Sequence, residues 1–192
     1  SDMRDPLVFL PGMMCDARVF GPQIAALSRD HAVTVAPVSE GERIEEIASG
    51  LLDLLPRKFA LAGLSMGGIV AMEILRRAPE RVSRIALMDT NSLAETRQPA
   101  TQYEPPIIKM RTAGFLEATA VLLPPDALAP GPQRSEIMAI LLDMAAHLGE
   151  AAIIRQIRAL QRRRDYQSVL RRCKVPALVL CGAQDGLTPV KR

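Results

Sequence analysis

Short, continuously apolar runs alternate along the chain with segments in which apolar residues recur every three or four positions. A continuous apolar run is typical of a strand buried on both faces, and the longer period is typical of an amphipathic helix. This alternation predicts an α/β fold with a mostly parallel sheet and helices on both of its faces. The predicted strands are 6–10, 32–36, 59–62, 82–88 and 176–181, with helical patterns over 19–27, 42–55 and 69–75 between them.

The stretch between the fourth and fifth predicted strands differs from the rest of the chain. It is rich in proline and carries helical patterns over 135–148 and 150–161. A helical insertion between two sheet strands is expected to form a cap over the sheet. We therefore predict an α/β core made of residues 1–92 and 171–192, and a helical cap made of residues 93–170. Met138 and Met144 lie at helical spacing within it, which favours a place in the core of the cap.

Composition then narrows the class of protein. Hydrophobic residues make up 48% of the chain, which predicts a packed core. Aromatic residues make up only 3%, and the net charge is only +3, so we expect no nucleic-acid partner. The basic clusters at 162–164 and 171–174 are interpreted as solvated helix ends. No apolar run approaches 18 residues, so no membrane span is expected.

The cysteines and the absence of cofactor-binding motifs restrict the chemistry that we expect of this protein. Three cysteines, an odd number without metal-binding spacing, indicate a reducing compartment, and we expect the protein in the cytoplasm. Neither a glycine-rich phosphate loop nor a metal constellation is present in the sequence, so no cofactor and no metal are expected. Cys15 stands beside the loop after the first predicted strand, where a reactive thiol is one alternative to a packed one.

The most informative motif is Gly-Leu-Ser-Met-Gly-Gly at 63–68. It follows a predicted strand and opens onto a helix-like run. Gly-x-Ser-x-Gly between a strand and a helix is the pattern of a nucleophile elbow, whose tight turn pushes the serine hydroxyl out of the sheet. The pattern therefore predicts Ser65 as a nucleophile. The alternative is a glycine-rich turn in which the serine only caps the helix.

Two further motifs follow predicted strands at the same edge of the sheet. Residues 10–12 read Leu-Pro-Gly, and residues 182–189 read Gly-Ala-Gln-Asp-Gly-Leu-Thr-Pro after the last predicted strand. With these motifs and the elbow in this order, the chain resembles the α/β-hydrolases, in particular the small, capped bacterial esterases. The resemblance spans nearly the whole chain. It implies hydrolysis of a small-molecule carboxylic ester or thioester through an acyl-serine intermediate.

The resemblance also implies roles for single residues. Ser65 would be the nucleophile, Asp185 the acid of the catalytic triad, and the backbone N–H groups of Met13 and Met66 the oxyanion hole. The family usually has His-Gly where this chain has Pro11-Gly12. That departure leaves the Met13 amide in place, because proline lacks only its own N–H.

The base of the triad has no clear candidate. The family places a histidine after the acid, and no histidine follows Asp185 in this sequence. His31 precedes the second predicted strand, at its amino end, and His147 lies near the end of a cap helix. Asp89, after the fourth predicted strand, is an alternative acid.

We therefore expect a hydrolase whose pattern continues beyond this sequence, with its last sheet elements missing here. A hydrolase-fold binding protein that has lost the base is the competing function. An incomplete sheet would leave an open strand edge, and a homodimer formed through that edge is a further expectation.

Overall fold

The computed structural model describes residues 4–95, 101–123 and 128–181. Five parallel strands form one sheet in the spatial order β2-β1-β3-β4-β5. Each predicted strand is present, with ends that differ from the prediction by no more than two residues, so the predicted α/β fold with a parallel sheet is confirmed. The strands are β1 (Leu7–Leu10), β2 (Val33–Val35), β3 (Phe59–Leu64), β4 (Val82–Met88) and β5 (Ala177–Leu180).

Helices connect the strands, and several more lie between β4 and β5. A short 3-10 helix at Ala17–Phe20 leads into the first of them. Glu45 and Glu46 stand in the first turn of α2, where negative charge complements the positive end of the helix dipole. The helices are α1 (Gly21–Leu27), α2 (Ile44–Leu54), α3 (Met66–Arg77), α4 (Glu104–Thr112), α5 (Phe115–Leu122), α6 (Arg134–Leu148), α7 (Glu150–Gln161) and α8 (Gln167–Arg171).

Helix α3 lies at the centre of the molecule. Every residue from Met66 to Leu75 is buried, and the helix packs on β1, β3 and β4 as well as on α2. Glu73 on this helix is fully buried and pairs with Arg76, whose Nε lies 2.7 Å from the carboxylate. Because an unpaired buried charge is costly, the pair allows α3 to be enclosed on all sides.

The helices between β4 and β5 have a small core of their own. It is joined to the sheet through the backbone N–H of Met14, which donates to Gln156 Oε1 at 3.0 Å. Gln156 Nε2 in turn donates to the carbonyl of Val38 at 3.3 Å. Helix α7 is thus fixed above the loops that follow β1 and β2. The core residues are Met14, Ile107, Met110, Ala118, Ala145, Ile153 and Ile157.

Within the described residues, strand β5 forms an edge of the sheet and is exposed along its whole length. Leu178, Val179 and Leu180 are 50–69% exposed. Beside them, an apolar hollow of about 370 Å³ extends across β4, β3 and β1 to Leu27. Residues 182–192 lie outside the described part of the chain. The homodimer expected through this edge stays a prediction.

None of the helices in the described ranges is by itself long and apolar enough to cross a membrane. Helices α6 and α7 meet such a test only as a pair, by length and composition, with a bend of 99° between them.

Truncation of Met144 should destabilise the protein more than truncation of Met138. Met144 is 1% exposed and accepts the Asp16 N–H at its sulfur, whereas Met138 is only half-buried. We expect Met144→Ala to lower the free energy of unfolding by about 2–4 kcal/mol, because it leaves a cavity. Met138→Ala, the matched control, should lower it by less than about 1 kcal/mol. Urea denaturation measures both, and equal losses would contradict a structural role for the buried Met144 side chain.

Candidate active site

Ser65 occupies a strained position between β3 and α3. Its backbone has φ 53° and ψ −115°, a region that non-glycine residues seldom adopt and that costs about 1–3 kcal/mol. Although Ser65 is the N-cap residue of α3, its side chain makes no capping hydrogen bond within the described chain. The strand, turn and helix of the predicted elbow are therefore present, and the alternative of a merely capping serine is not supported.

The glycines of the elbow permit very close backbone contacts. A Cβ atom on Gly63 would lie 2.6 Å from the carbonyl carbon of Gly67. A Cβ atom on Gly67 would lie 2.6 Å from the carbonyl oxygen of Pro11. Neither position has room for a side chain, because the start of α3 crosses directly over the ends of β1 and β3.

Hydrogen bonds hold the strained turn in place. The Ser65 N–H donates to the Met88 carbonyl at 2.8 Å, which extends the pairing of β3 with β4 by one residue. The Thr90 hydroxyl donates to the Ser65 carbonyl at 2.6 Å. The Gly68 N–H donates to the same carbonyl at 2.9 Å. These bonds offset the backbone strain and fix the direction in which the Ser65 side chain leaves the sheet.

The loop after β1 passes close to the serine. A Cβ atom on Gly12 would lie 3.5 Å from the Cβ of Ser65. Met13 lines the same cavity as Ser65, and Met66 begins α3, where the first N–H groups have no acceptor within the helix. The structure thus brings the two residues of the predicted oxyanion hole to Ser65. The direction of their N–H groups toward a bound substrate stays a prediction.

Ser65 opens into a cavity of about 500 Å³, a volume suited to a small organic molecule. The floor is formed by residues at the carboxyl ends of the strands. Residues from the segments 102–122 and 160–163, which lie between β4 and β5, also line the cavity. The lining residues are Met13, Ser65, Met66, Ile69, Thr90, Asn91, Glu95, Gln102, Tyr103, Pro106, Val121, Leu122, Leu160 and Arg163.

A buried ion pair also borders the cavity. Arg163 Nη1 lies 2.8 Å from Glu95 Oε2, and the two side chains are only 7% and 4% exposed. The phenol of Tyr103 contacts both, and its pKa is raised, first by burial and then by the charge of Glu95. The interpretation of residues 162–164 as a solvated helix end is therefore wrong for Arg163, because the residue after the C-cap of α7 turns inward to meet Glu95.

The sequence carried no separate signal for this pair. Arg163 stands between two arginines that do form looser ion pairs near the surface, Arg162 with Glu42 and Arg164 with Glu45. Only the path of the chain after α7 distinguishes the middle arginine from its neighbours.

The candidate acids and bases do not assemble around Ser65 within the described residues. Asp185 lies outside them. Asp89 follows β4 with a positive φ of 45°, and its N–H donates to the Leu180 carbonyl at 2.8 Å. It is not among the cavity-lining residues of the described chain.

Neither histidine faces the serine. His31 precedes β2 at the amino end of the sheet, because Val33 pairs with Leu7, the first residue of β1. Ser65 follows β3 at the opposite end. His147 is exposed in the last turn of α6. There it lies near Asp16. The pKa of the Asp16 carboxylate is lowered chiefly by Arg18, and His147 contributes to the same shift.

Cys15 lies near the loop after β1, but its thiol is poorly suited to react. Burial, and to a lesser degree the negative charge of Asp16, raise its pKa to about 11. Since the thiolate is the nucleophile, the alternative of a reactive Cys15 is not supported near neutral pH.

Comparison with known proteins identifies the family of the chain. The sequence profile of the alpha/beta hydrolase family matches residues 7–192. The chain therefore belongs to the alpha/beta hydrolase family, and the predicted family and fold are confirmed.

Two curated relatives show the range of named activities. A pimeloyl-acyl-carrier-protein methyl ester esterase of Vibrio parahaemolyticus is 28% identical over 119 residues, which are 58% of this chain and 47% of that protein. RutD of Yersinia enterocolitica, named for a proposed carbamate hydrolase activity, is 23% identical over 98% of this chain and 73% of its own length. The chain thus spans about half and about three quarters of these relatives.

Solved structures agree at the level of the fold. A thermophilic esterase from Thermogutta terrifontis superposes with a TM-score of 0.85 at 22% identity, covering 98% of this chain and 75% of that one. The enol-lactonase from Burkholderia xenovorans superposes with a TM-score of 0.78 at 25% identity, covering 93% and 73%.

Cys15 should alkylate slowly near neutral pH. With a pKa of about 11, only about a thousandth of the thiol is ionised at pH 8. We expect iodoacetamide to modify exposed Cys181 at least about tenfold faster, as followed by peptide mass spectrometry. Because the thiolate appears only as the pH rises, the Cys15 rate should keep rising toward pH 11. A plateau near the value of an ordinary cysteine, about 8.5, would contradict the raised pKa.

Proposed function

We propose that the protein is a serine hydrolase that cleaves a small carboxylic ester or thioester through an acyl intermediate on Ser65. The observation that carries this proposal is the strained turn that places a serine without a capping hydrogen bond in the lining of a cavity. A serine that serves only the fold does not need a φ of 53°. Membership of a hydrolase family and the esterase name of a relative support the same reaction class.

In the proposed mechanism, the Ser65 hydroxyl attacks the carbonyl carbon and the alcohol or thiol leaves. The backbone N–H groups of Met13 and Met66 would stabilise the oxyanion, at about 3–4 kcal/mol for each donor. Water then releases the acid and regenerates the serine. Asp185 remains the proposed acid. The general base is not assigned, since neither His31 nor His147 faces the cavity.

We further propose that residues 93–170 act as a cap that selects the acyl group. Val121, Leu122 and Leu160 supply apolar wall opposite the serine, which suits the hydrocarbon part of a small acyl substrate. Closure over the serine would also exclude water from the developing oxyanion and strengthen its hydrogen bonds. The cytoplasm is the proposed location, because an odd number of cysteines without metal-binding spacing is typical of a reducing compartment.

The placement of the histidines favours a second candidate, a hydrolase-fold protein that binds a small molecule without cleaving it. Without a base, a serine hydroxyl is a weak nucleophile at neutral pH. The two candidates differ in whether Ser65 becomes acylated.

Labelling of Ser65 tests the proposal. A fluorophosphonate probe should label the full-length protein once, at Ser65, and p-nitrophenyl butyrate should be hydrolysed. Ser65→Ala should abolish labelling and lower the rate by at least about a thousandfold, because the nucleophile is lost while the fold is kept. Ser49→Ala, an exposed serine on α2, is the matched control and should behave as the unmodified protein.

Equal labelling of the Ser65→Ala variant would refute Ser65 as the nucleophile. A full-length protein that binds the ester but is neither labelled nor active would favour the binding protein instead.

A further inference from the structure

The ion pair between Glu95 and Arg163 is an unusual component for the wall of this cavity. Both side chains are almost completely buried, and both border the space that contains the Ser65 side chain. A buried ion pair is seldom the most stable filling of such a position, because apolar side chains of similar size avoid its desolvation cost. If this wall only supported the fold, apolar side chains would form it at least as well.

The pair has hydrogen-bonding capacity left over for a ligand. A guanidinium carries five N–H donors. Among the described residues, Arg163 Nε donates to the Leu93 carbonyl at 3.0 Å, and Nη1 lies 2.8 Å from Glu95. The other N–H groups of the guanidinium can therefore serve a ligand. The Glu95 carboxylate has about four acceptor sites, which Arg163 and the neighbouring Tyr103 do not exhaust.

The charge of the pair restricts what a ligand can be. Glu95 already neutralises Arg163, so an anionic group placed here would add a second negative charge in a region shielded from water. A cationic group would likewise add a second positive charge, next to the Arg163 guanidinium. An uncharged group that both accepts and donates, such as a hydroxyl or a carboxamide, can bond to Arg163 and Glu95 together at no cost in charge.

Building on the proposed function, we propose that Glu95 and Arg163 are specificity-determining residues that select esters or thioesters bearing an uncharged hydroxyl or carboxamide group. The apolar wall would hold the carbon chain, and the pair would hold its polar end. A purely hydrocarbon chain would leave the polar groups of Glu95 and Arg163 without partners. The pair would therefore disfavour such a substrate.

Three methyl esters of the same chain length test this inference with the full-length protein. They are methyl hexanoate, its terminal hydroxy analogue, and the monomethyl ester of adipic acid. We expect kcat/KM for the hydroxy ester to exceed that for methyl hexanoate by at least about tenfold, and the adipate half ester to be the poorest substrate. Methanol release measures all three. Binding of the same esters to Ser65→Ala, measured by calorimetry, should show the same order without any turnover.

A double variant separates recognition from stability. Replacing the pair by Glu95→Leu with Arg163→Met leaves no buried charge unpaired, so the variant should fold. Its ratio of kcat/KM for the hydroxy ester over methyl hexanoate should fall to about onefold, because the groups that bond to the hydroxyl are gone. The same substitutions in the exposed pair of α2, Arg43→Met with Glu46→Leu, are the matched control and should leave the preference unchanged.

Several outcomes would overturn the inference. Equal kcat/KM for the hydroxy ester and methyl hexanoate would refute it while leaving the serine hydrolase intact. A preference for the adipate half ester would show that Arg163 recognises an anion. A uniform loss on all three esters in the double variant would assign the pair a structural role. If no ester is cleaved and Ser65 is not labelled, the proposed function fails, and the order of binding to Ser65→Ala alone decides the inference.

Discussion

The crossing of α3 over the ends of β1 and β3 is the constraint on which the rest of the structure depends. The backbone of Gly67 approaches that of Leu10 and Pro11 too closely for any side chain, and Gly63 meets the same helix from below. This contact fixes where α3 begins, and through α3 it fixes the main core, because the helix is buried along most of its length. The strain at Ser65 follows from the same geometry. Ser65 is the single residue between the end of β3 and the start of α3. The whole change from strand to helix therefore falls on its backbone, because α3 packs too tightly to leave other space.

The second organising element is α7 with the residues that follow it. Gln156 joins the helix to the loops after β1 and β2, and Arg155 adds a hydrogen bond to the Ser39 carbonyl at 3.0 Å. Beyond its end, Arg163 reaches the segment after β4 through Leu93 and Glu95. Helix α7 and the residue after its C-cap thus contact the segments that follow β1, β2 and β4. The cavity beside Ser65 depends on these polar contacts as much as on apolar packing.

Two ion pairs of the described chain contain buried charge, and they differ in their surroundings. Glu73 pairs with Arg76 on one helix, three residues apart, where the partner is supplied by local geometry. Glu95 and Arg163 come from segments far apart in sequence and meet only in the folded protein. The first pair lets a charged residue occupy the packed face of α3. The second borders the cavity that Ser65 also lines.

The sequence alone determined the sheet and the position of the candidate nucleophile. Continuous apolar runs such as 59–62 favour buried strands, and Gly-x-Ser-x-Gly between a strand and a helix permits few backbone paths, so local pattern was sufficient. Neighbouring motifs also indicated Met13 and Met66 correctly as residues near Ser65.

Tertiary structure alone decided the character of the cavity wall. In sequence, Arg163 is the middle of three arginines and Glu95 is one acidic residue in a proline-containing segment. Their burial follows from the direction in which the chain leaves α7 and from where the segment after β4 passes. The exposed position of His147 beside Asp16 was likewise set by the packing of α6. Side-chain partners separated by tens of residues depend on how helices pack, and no local pattern of hydrophobic and polar positions encodes that choice.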